Sequence, residues 1–390
     1  MNASNRTTDQ GLRPLAFIDL AAQQERIKAR IEAAVAEVLA GGQYVLGPHV
    51  EALESALADF CGASHCVSCA NGTDALSLVL MAEGVGPGDA VFVPSFTFVA
   101  TAEAVADRGA TPVFVDIDAD SFNMNTASLE RAIGAARKAG LKPRMVIAVD
   151  LFGQPADYDR LAPVAHEHGV LLVADAAQSF GAMLDGKRVG TLAPYSTTSF
   201  FPAKPLGCYG DGGAVLVEDS AKANILRSLA SHGTGSHRYE HVRVGLNSRL
   251  DSLQAAILLV KLDIFPDEIE ARQTVARRYG ELLRGVSTPH VRSGATSVWA
   301  QYTVGLPEGT DRDAVQAHCA SAGVPTAVYY PIPLHKQQAY SQHPCDPEGL
   351  PQTEAAAPRV LSLPMHPYLS AAKQAYVAET LAAALRACSG

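Results

Sequence analysis

Residues 66 to 217 alternate short apolar runs with helical patterns, and this alternation constrains the fold more than any other feature of the chain. The strand-like runs are AVFVP, TPVFVDI, RMVIAVD, GVLLVADA and GGAVLV. Helical stretches separate them, in residues 73–82, 97–108, 128–139 and 158–168. Alternating strands and helices form crossover connections, which place parallel strands side by side under helices. The sequence therefore predicts an α/β fold with a mostly parallel sheet, in which ligands collect at the carboxyl ends of the strands.

Further helical patterns flank this region on both sides. Two amphipathic helices are predicted before it, in residues 22–40 and 48–60, and helices over 222–231, 252–283 and 311–322 follow it, together with strand-like QYTVGL. We expect a flexible tail over residues 1–14, a large domain over 15–265 and a smaller C-terminal domain over 266–390.

Composition excludes several classes of function. A chain of 390 residues with 48% hydrophobic residues is long enough for a large core in two domains. A formal net charge of -9 argues against general attraction to nucleic acid or anionic membranes. The chain has no apolar run of the roughly 20 residues that cross a bilayer, and its polar start predicts a cytoplasmic protein. Seven dispersed cysteines do not resemble a disulfide framework.

The segment CVSCANGTDAL passes from a strand through Asn71, Gly72 and Thr73 into a helix. Free N–H groups at a helix start, beside a glycine that permits close approach, can hold a phosphate. An ordinary N-cap followed by a helix would give the same pattern. The pair Cys66 and Cys69 lacks a second ligand pair at zinc-finger spacing, so we expect no metal site and treat these cysteines as small buried residues.

The segment GVLLVADAAQSFGA ends a buried strand on Asp175, and Gln178 follows three residues later. A carboxylate at the end of an otherwise apolar strand is costly to leave unpaired, so it should meet a cation or a metal. A structural ion pair is the alternative interpretation.

The segment STTSFFPAK supplies Ser199, a possible anion donor, and then Lys204 between two prolines. A lysine in a partly apolar pocket has a lowered pKa and becomes nucleophilic enough to form a Schiff base, although a surface lysine is the ordinary alternative. A phosphate site, a carboxylate for a pyridinium nitrogen and a lysine for an aldehyde are together what pyridoxal phosphate requires.

Five motifs in order resemble one family: NGTDAL, PSFTFVATAEAV, DAAQSFGA, SFFPAKPLGCYGDGGAV and GLNSRLDSLQAAIL. They resemble the sugar-nucleotide aminotransferases of the DegT and StrS type over roughly residues 15 to 385. The resemblance implies a fold-type I pyridoxal-phosphate transferase, with a mostly parallel seven-stranded sheet flanked by helices and a smaller C-terminal α+β domain. It also implies a homodimer whose active sites lie between subunits.

The resemblance also implies roles for individual residues. Lys204 would form the internal aldimine and then move a proton between substrate and cofactor. The cofactor would further be held by Gly72, Thr73 and Ser199 at the phosphate, Asp175 at the ring nitrogen, Gln178 at the ring hydroxyl, Phe98 on the ring face and, from the neighbouring subunit, Asn247.

The stretches HVRVGLNSRLD, PTAVYYPIPLHKQ and LSLPMHPYL resemble enzymes that aminate UDP-2-acetamido-2-deoxy-3-oxo-glucuronate in lipopolysaccharide and O-antigen pathways, with L-glutamate as donor. Arg249, Tyr329 and Tyr330 would then contact the sugar. Arg238, His241 and Arg243 are further candidates for an anionic group, or are surface residues. Two alternatives remain: a 4-keto-6-deoxy dTDP- or UDP-sugar as substrate, and a regulatory protein that keeps the fold without turnover.

Overall fold

The computed structural model describes residues 15–237 and 239–388. The tail predicted for residues 1–14 and the candidate Arg238 lie outside the described residues.

Helices and strands alternate through most of the described chain. The helices are α1 (Leu20–Gly41), α2 (Pro48–Cys61), α3 (Gly72–Ala82), α4 (Ala100–Asp107), α5 (Thr126–Lys138), α6 (Tyr158–His168), α7 (Ser220–Ala230), α8 (Ser252–Leu282), α9 (Arg312–Ser321), α10 (Pro351–Ala356) and α11 (Ala371–Cys388). The strands are β1 (His65–Cys69), β2 (Asp89–Pro94), β3 (Thr111–Val115), β4 (Lys142–Val149), β5 (Leu171–Asp175), β6 (Met183–Leu184), β7 (Lys187–Arg188), β8 (Tyr195–Ser199), β9 (Gly213–Val217), β10 (Ala295–Thr296), β11 (Tyr302–Gly305) and β12 (Val360–Leu363).

Seven of these strands form the central sheet, in the order β1-β9-β8-β5-β4-β2-β3. The pairs β2–β3, β2–β4, β4–β5 and β5–β8 are parallel, whereas β9 runs antiparallel to both β1 and β8. The predicted α/β fold with a mostly parallel seven-stranded sheet is therefore confirmed.

Successive side chains of a strand point to opposite faces of this sheet, where they pack against the helices. In β2, Val91 and Val93 join the core under α3, α4 and α7, while Ala90 and Phe92 join the core under α5 and α6. Both faces are thus covered, as the continuous apolar runs predicted.

The strand β8 has the sequence YSTTS, which the apolar pattern did not single out as a strand. Its first four residues are nevertheless buried, because β8 lies between β5 and β9 in the middle of the sheet. Ser199 is its last residue, so the strand determines where that hydroxyl lies.

The long helix α8 joins two cores. Its first half, including Leu258 and Phe265, packs beneath the large sheet, and its second half, including Tyr279, packs against β11, β12, α9 and α11. Residue 265, the predicted domain boundary, lies inside this helix. The division into domains over 15–265 and 266–390 stays a prediction.

No helix in residues 15–237 and 239–388 is long and apolar enough to cross a membrane. In the same residues no group of three or more His, Cys, Asp or Glu side chains could hold a metal ion. Cys66 and Cys69 are buried free thiols.

Candidate active site

The segments that follow β1, β5 and β8 meet at one edge of the sheet. Asp175 at the end of β5 pairs with Thr197 of β8 in the parallel ladder, and the Ala176 N–H donates to the Thr197 carbonyl at 2.8 Å. On the far side of β8, a Cβ placed on Gly72 would lie 2.7 Å from the Ser199 Cβ. A glycine at position 72 therefore lets the start of α3 approach the end of β8.

The start of α3 has N–H groups available for an anion. The Asn71 side chain accepts from the Asp74 N–H at 2.8 Å, and the Asn71 carbonyl accepts from the Ala75 N–H at 3.1 Å. The N–H groups of Gly72 and Thr73 have no acceptor among the described residues. With the Ser199 hydroxyl beside Gly72, these groups form a polar corner that can accept an anion such as a phosphate.

Asp175 is only 6% exposed. Its carboxylate accepts from the Thr101 hydroxyl at 2.9 Å and from the Ala177 N–H at 3.2 Å. Burial raises the pKa of Asp175, and the hydrogen bonds from Thr101 and Ala177 and the nearby Lys204 charge oppose that rise. This carboxylate can accept a further donor from the open side of the sheet edge, because each oxygen has only one partner in residues 15–237 and 239–388.

Lys204 lies in a tightly folded loop between β8 and β9. Its N–H donates to the Phe201 carbonyl at 2.8 Å, and the Cys208 N–H returns to the Phe200 carbonyl at 2.8 Å. A Cβ at Gly207 would lie 2.5 Å from the Pro202 carbonyl oxygen, so only glycine permits this loop.

Loss of solvation lowers the pKa of Lys204, and the Asp175 charge partly offsets the change. The amine is thus biased toward its neutral, nucleophilic form, as the sequence predicted.

Gln178 is buried and already has two partners. Its carbonyl oxygen accepts from the Phe152 N–H at 2.8 Å, and its amide nitrogen donates to the Tyr330 hydroxyl at 3.1 Å. One amide hydrogen remains for a ligand. The role predicted for Gln178 at a ring hydroxyl stays a prediction.

Aromatic rings close one side of the site. The Tyr330 ring lies 6.2 Å from Phe96 and 6.3 Å from Phe98, measured between centroids. Phe98 is 53% exposed, so it leaves a ring face open rather than packing into the core. Burial raises the pKa of the Tyr329 and Tyr330 hydroxyls, which therefore stay protonated at neutral pH.

Sequence reasoning missed Thr101, the residue that holds Asp175. Thr101 is 1% exposed and lies in the first turn of α4. Thr101 lies only three residues after Phe98, but its hydrogen bond to Asp175, which lies 74 residues further along the chain, depends on the tertiary structure.

Four candidates lie apart from this cluster. Asn247 is exposed and accepts a hydrogen bond from Arg249, and neither contacts Lys204, Asp175 or Ser199 within the described part of this chain. His241 pairs with the His232 carbonyl, and Arg243 donates to the Ser228 hydroxyl.

Comparison with known proteins agrees with this geometry. The model of the DegT/DnrJ/EryC1/StrS aminotransferase family matches residues 25–382. The UDP-2-acetamido-2-deoxy-3-oxo-D-glucuronate aminotransferase of Pseudomonas aeruginosa is 53% identical over 91% of this chain and 96% of its own length.

Solved structures agree as well. A DegT/DnrJ/EryC1/StrS aminotransferase from Brucella abortus has a TM-score of 0.92 and 50% identity, over 94% of this chain and 98% of its own. Streptomyces venezuelae DesV, solved in complex with a ketimine intermediate, has a TM-score of 0.90 and 36% identity, over 96% of this chain and 99% of its own. The chain therefore belongs to the DegT/DnrJ/EryC1/StrS aminotransferase family and is a pyridoxal-phosphate-dependent sugar aminotransferase.

Proposed function

We propose that this protein transfers the amino group of L-glutamate to UDP-2-acetamido-2-deoxy-3-oxo-D-glucuronate, in the synthesis of lipopolysaccharide O-antigen sugars. The observation that carries the proposal is the 53% identity to the Pseudomonas aeruginosa enzyme, whose name states this substrate, over nearly the full length of both chains. A cytoplasmic location, predicted from the sequence, is part of the same proposal.

The residues at the sheet edge fit the cofactor. Gly72 and Thr73 offer free N–H groups and Ser199 offers a hydroxyl, which suit the phosphate. Asp175 has capacity for one more donor, which suits a protonated ring nitrogen, and Phe98 has an open face for the ring. Pyridoxal phosphate supplies an electron sink for the carbon that gains or loses the amine.

Lys204 would hold the aldehyde carbon of the resting cofactor through Nζ. Once an incoming amine displaces it, its neutral Nζ would take a proton from one carbon and return it to another. The lowered pKa of Lys204 supports this role, because a protonated amine could do neither. The two prolines beside Lys204 restrict its backbone, which helps Nζ return to one position.

The second subunit of a homodimer would complete the site. Large apolar residues are exposed in the segment before Asn247, with Val242 at 53% and Val244 at 88%, and Leu46 after α1 is 52% exposed. The segment after α1 lies against the start of α8, because the Ser252 N–H donates to the Tyr44 carbonyl at 2.8 Å. A monomer would leave these apolar side chains in water, which supports a role for Asn247 at the partner's cofactor phosphate.

Arg249, Tyr329 and Tyr330 are proposed to bind the keto sugar. A guanidinium can bind the C6 carboxylate of a uronate through two hydrogen bonds, and among the described residues the Asn247 side chain is the only hydrogen-bond partner of Arg249. The Tyr330 hydroxyl lies beside Gln178 and thus close to the proposed position of the cofactor ring.

The test is turnover with three keto sugars: the UDP-linked 3-oxo-glucuronate, its 3-oxo analogue without the carboxylate, and a dTDP-4-keto-6-deoxy sugar. We expect the first to have the highest kcat/KM, with parallel lines in double-reciprocal plots, because one site must take both substrates in turn. Preference for either other sugar would refute the substrate, and intersecting lines would refute the two-step exchange.

Lys204→Ala should lose the yellow colour that borohydride bleaches in the unaltered protein, as well as turnover. Lys187→Ala, which removes an exposed lysine, is the matched control and should keep both. A colourless protein that takes up no added pyridoxal phosphate would refute the proposed function.

A further inference from the structure

Three side chains outside the cofactor corner form a continuous hydrogen-bonded chain. The Ser95 hydroxyl lies 2.7 Å from His335 Nδ1, and His335 Nε2 lies 3.1 Å from Glu354 Oε1. Ser95 follows β2, His335 lies in a short 3-10 helix (Leu334–Lys336) after Tyr330, and Glu354 lies in α10. The arrangement has the form of a serine–histidine–carboxylate triad.

This serine cannot act on a substrate, because it is 0% exposed. Its hydroxyl also accepts the His335 N–H at 3.1 Å, and its carbonyl accepts the Leu334 N–H at 2.9 Å. Three hydrogen bonds therefore connect one buried residue of the large sheet to residues 334 and 335. Such a connection fixes the position of a segment rather than attacking a bond.

The two ring nitrogens of His335 have different partners. Nδ1 lies against the Ser95 hydroxyl, whose oxygen also accepts the His335 backbone N–H, and Nε2 lies against Glu354. Lys336 first and His335 second lower the pKa of Glu354. The imidazole is thus held on both sides and connects Ser95 to Glu354.

Glu354 is itself anchored to the sheet. The N–H groups of Gln352 and Thr353, at the start of the same helix, donate to the two oxygens of Asp116 at 3.0 and 2.8 Å. Asp116 follows β3, so both ends of the triad are connected to the carboxyl edge of the sheet.

The triad lies at one end of the segment that carries the two tyrosines. At the other end, Ala327 exchanges backbone hydrogen bonds with Ser362 of β12, at 2.8 and 3.1 Å. Tyr330 is separated from His335 by only four residues, of which Pro331 and Pro333 are stiff. Displacement at His335 would therefore move Tyr330 relative to Gln178 and Phe98.

We propose that Ser95, His335 and Glu354 form a positioning triad, and that His335 is a positioning residue which fixes Tyr329 and Tyr330 for the keto sugar. This inference rests on the proposed function, because it assigns the two tyrosines to that substrate. It predicts that the triad affects keto-sugar binding more than the exchange with glutamate, since Lys204, Asp175 and Ser199 are connected to other strands.

The test measures the two half-reactions separately. His335→Gln can still reach Glu354 but has no group at the Nδ1 position, so it loses Ser95. We expect the KM for the keto sugar to rise about 10-fold or more, because small displacements of binding groups cost up to about 100-fold. The rate at which L-glutamate discharges the cofactor colour should change less than about threefold, and the cofactor absorption band should stay unchanged.

Two further variants complete the comparison. His335→Asn keeps a polar group near Nδ1 and should recover part of the keto-sugar KM. His343→Gln is the matched control in the same C-terminal segment, where the imidazole packs against Tyr340, and it should match the unaltered protein.

The outcomes separate the two proposals. If the unaltered protein does not exchange with glutamate, the proposed function fails. If it does, and His335→Gln keeps its keto-sugar KM within threefold or slows both half-reactions equally, the positioning triad is overturned. Should His335→Gln not fold, Glu354→Gln decides instead: a keto-sugar KM raised about threefold supports the triad, and an unchanged KM overturns it.

Discussion

Asp150 and Asp175 lie at the ends of neighbouring parallel strands, yet their carboxyls have different hydrogen-bond partners. Asp150 directly follows β4, Asp175 ends β5, and the Asp150 N–H donates to the Asp175 carbonyl at 3.1 Å. Both carboxyls are buried, at 0% and 6% exposure, and burial raises the pKa of both, that of Asp150 to about 7. At both positions, burial thus destabilises the ionised form of the carboxyl.

The difference is the number and source of their donors. Asp150 accepts from the Ser179 hydroxyl at 2.6 Å, the Tyr158 hydroxyl at 2.7 Å and the Ala156 N–H at 2.8 Å, and it has no exposed surface. Within the described part of the chain, Asp175 accepts only from Thr101 and, over a longer distance, from Ala177. A carboxyl with three protein donors supports the fold, whereas one left with an open position is available to a ligand.

The largest expected effect comes from Asp175→Asn. An amide cannot keep a proton on the cofactor ring nitrogen, so we expect kcat to fall by about 10²- to 10³-fold. The amide oxygen can still accept from Thr101, so the free energy of unfolding of the cofactor-free protein should change by less than about 1 kcal/mol. Steady-state kinetics and denaturant titration measure the two quantities. A stable variant with full activity would refute the role of Asp175.

Asp150→Asn should have the opposite profile. At pH 5 Asp150 is a neutral acid with one hydrogen, and the second hydrogen of the amide would face donors, so the free energy of unfolding should fall by about 1–3 kcal/mol. The kcat of the folded fraction should stay within about threefold of the unaltered enzyme. Denaturant titration with activity at low temperature checks this, and loss of kcat without loss of stability would contradict the comparison.

The pH dependence of stability sharpens the same contrast. Because the pKa of Asp150 is raised to about 7, the folded protein binds a proton that the unfolded chain releases near pH 4. Its stabilising contribution is therefore complete below about pH 4 and is lost as the pH rises toward 7, by at most about 1.4 kcal/mol per pH unit. Denaturant titrations across this range should show that slope in the unaltered cofactor-free protein and not in Asp150→Asn. Parallel curves would mean that Asp150 does not titrate there.

Removal of one donor from each carboxyl should have the smallest effect. Ser179→Ala takes a hydroxyl from Asp150 and should lower the free energy of unfolding by about 1–2 kcal/mol, with kcat nearly unchanged. Thr101→Val takes a hydroxyl from Asp175 and should lower kcat by about 3- to 10-fold, since that carboxylate would be held less firmly. Equal effects of the two variants on stability and on kcat would remove the distinction between the two sites.

Much of the site could be predicted because its residues lie next to strong local patterns. Asp175 ends an apolar strand, Gly72 begins a helix, and Lys204 lies between prolines before a run of glycines. Each of these residues lies within one of the continuous family motifs. The structure brings Gly72 and Ser199 into contact range and places Lys204 near Asp175.

The missed features all depend on contacts between distant segments. Strand β8 has no apolar pattern, because most of its residues are Ser and Thr, and only its place between two other strands buries them. Thr101 reaches Asp175 across 74 residues, Tyr330 reaches Gln178 across 152, and His335 reaches Ser95 across 240. No local periodicity can report such a contact, since each partner is an ordinary residue in its own segment.

The sequence by itself determined the layers of this protein and the chemical groups along the edge of its sheet. Apolar periodicity determines which face of each element is buried, and strand ends determine where polar residues collect. Only the tertiary structure decided which of those groups is open to a ligand. Asp150 and Asp175 are alike in their own segments. Donors from α6 and from the turn after β5 satisfy Asp150, whereas α4 supplies a single donor to Asp175 and leaves that carboxylate available to a ligand.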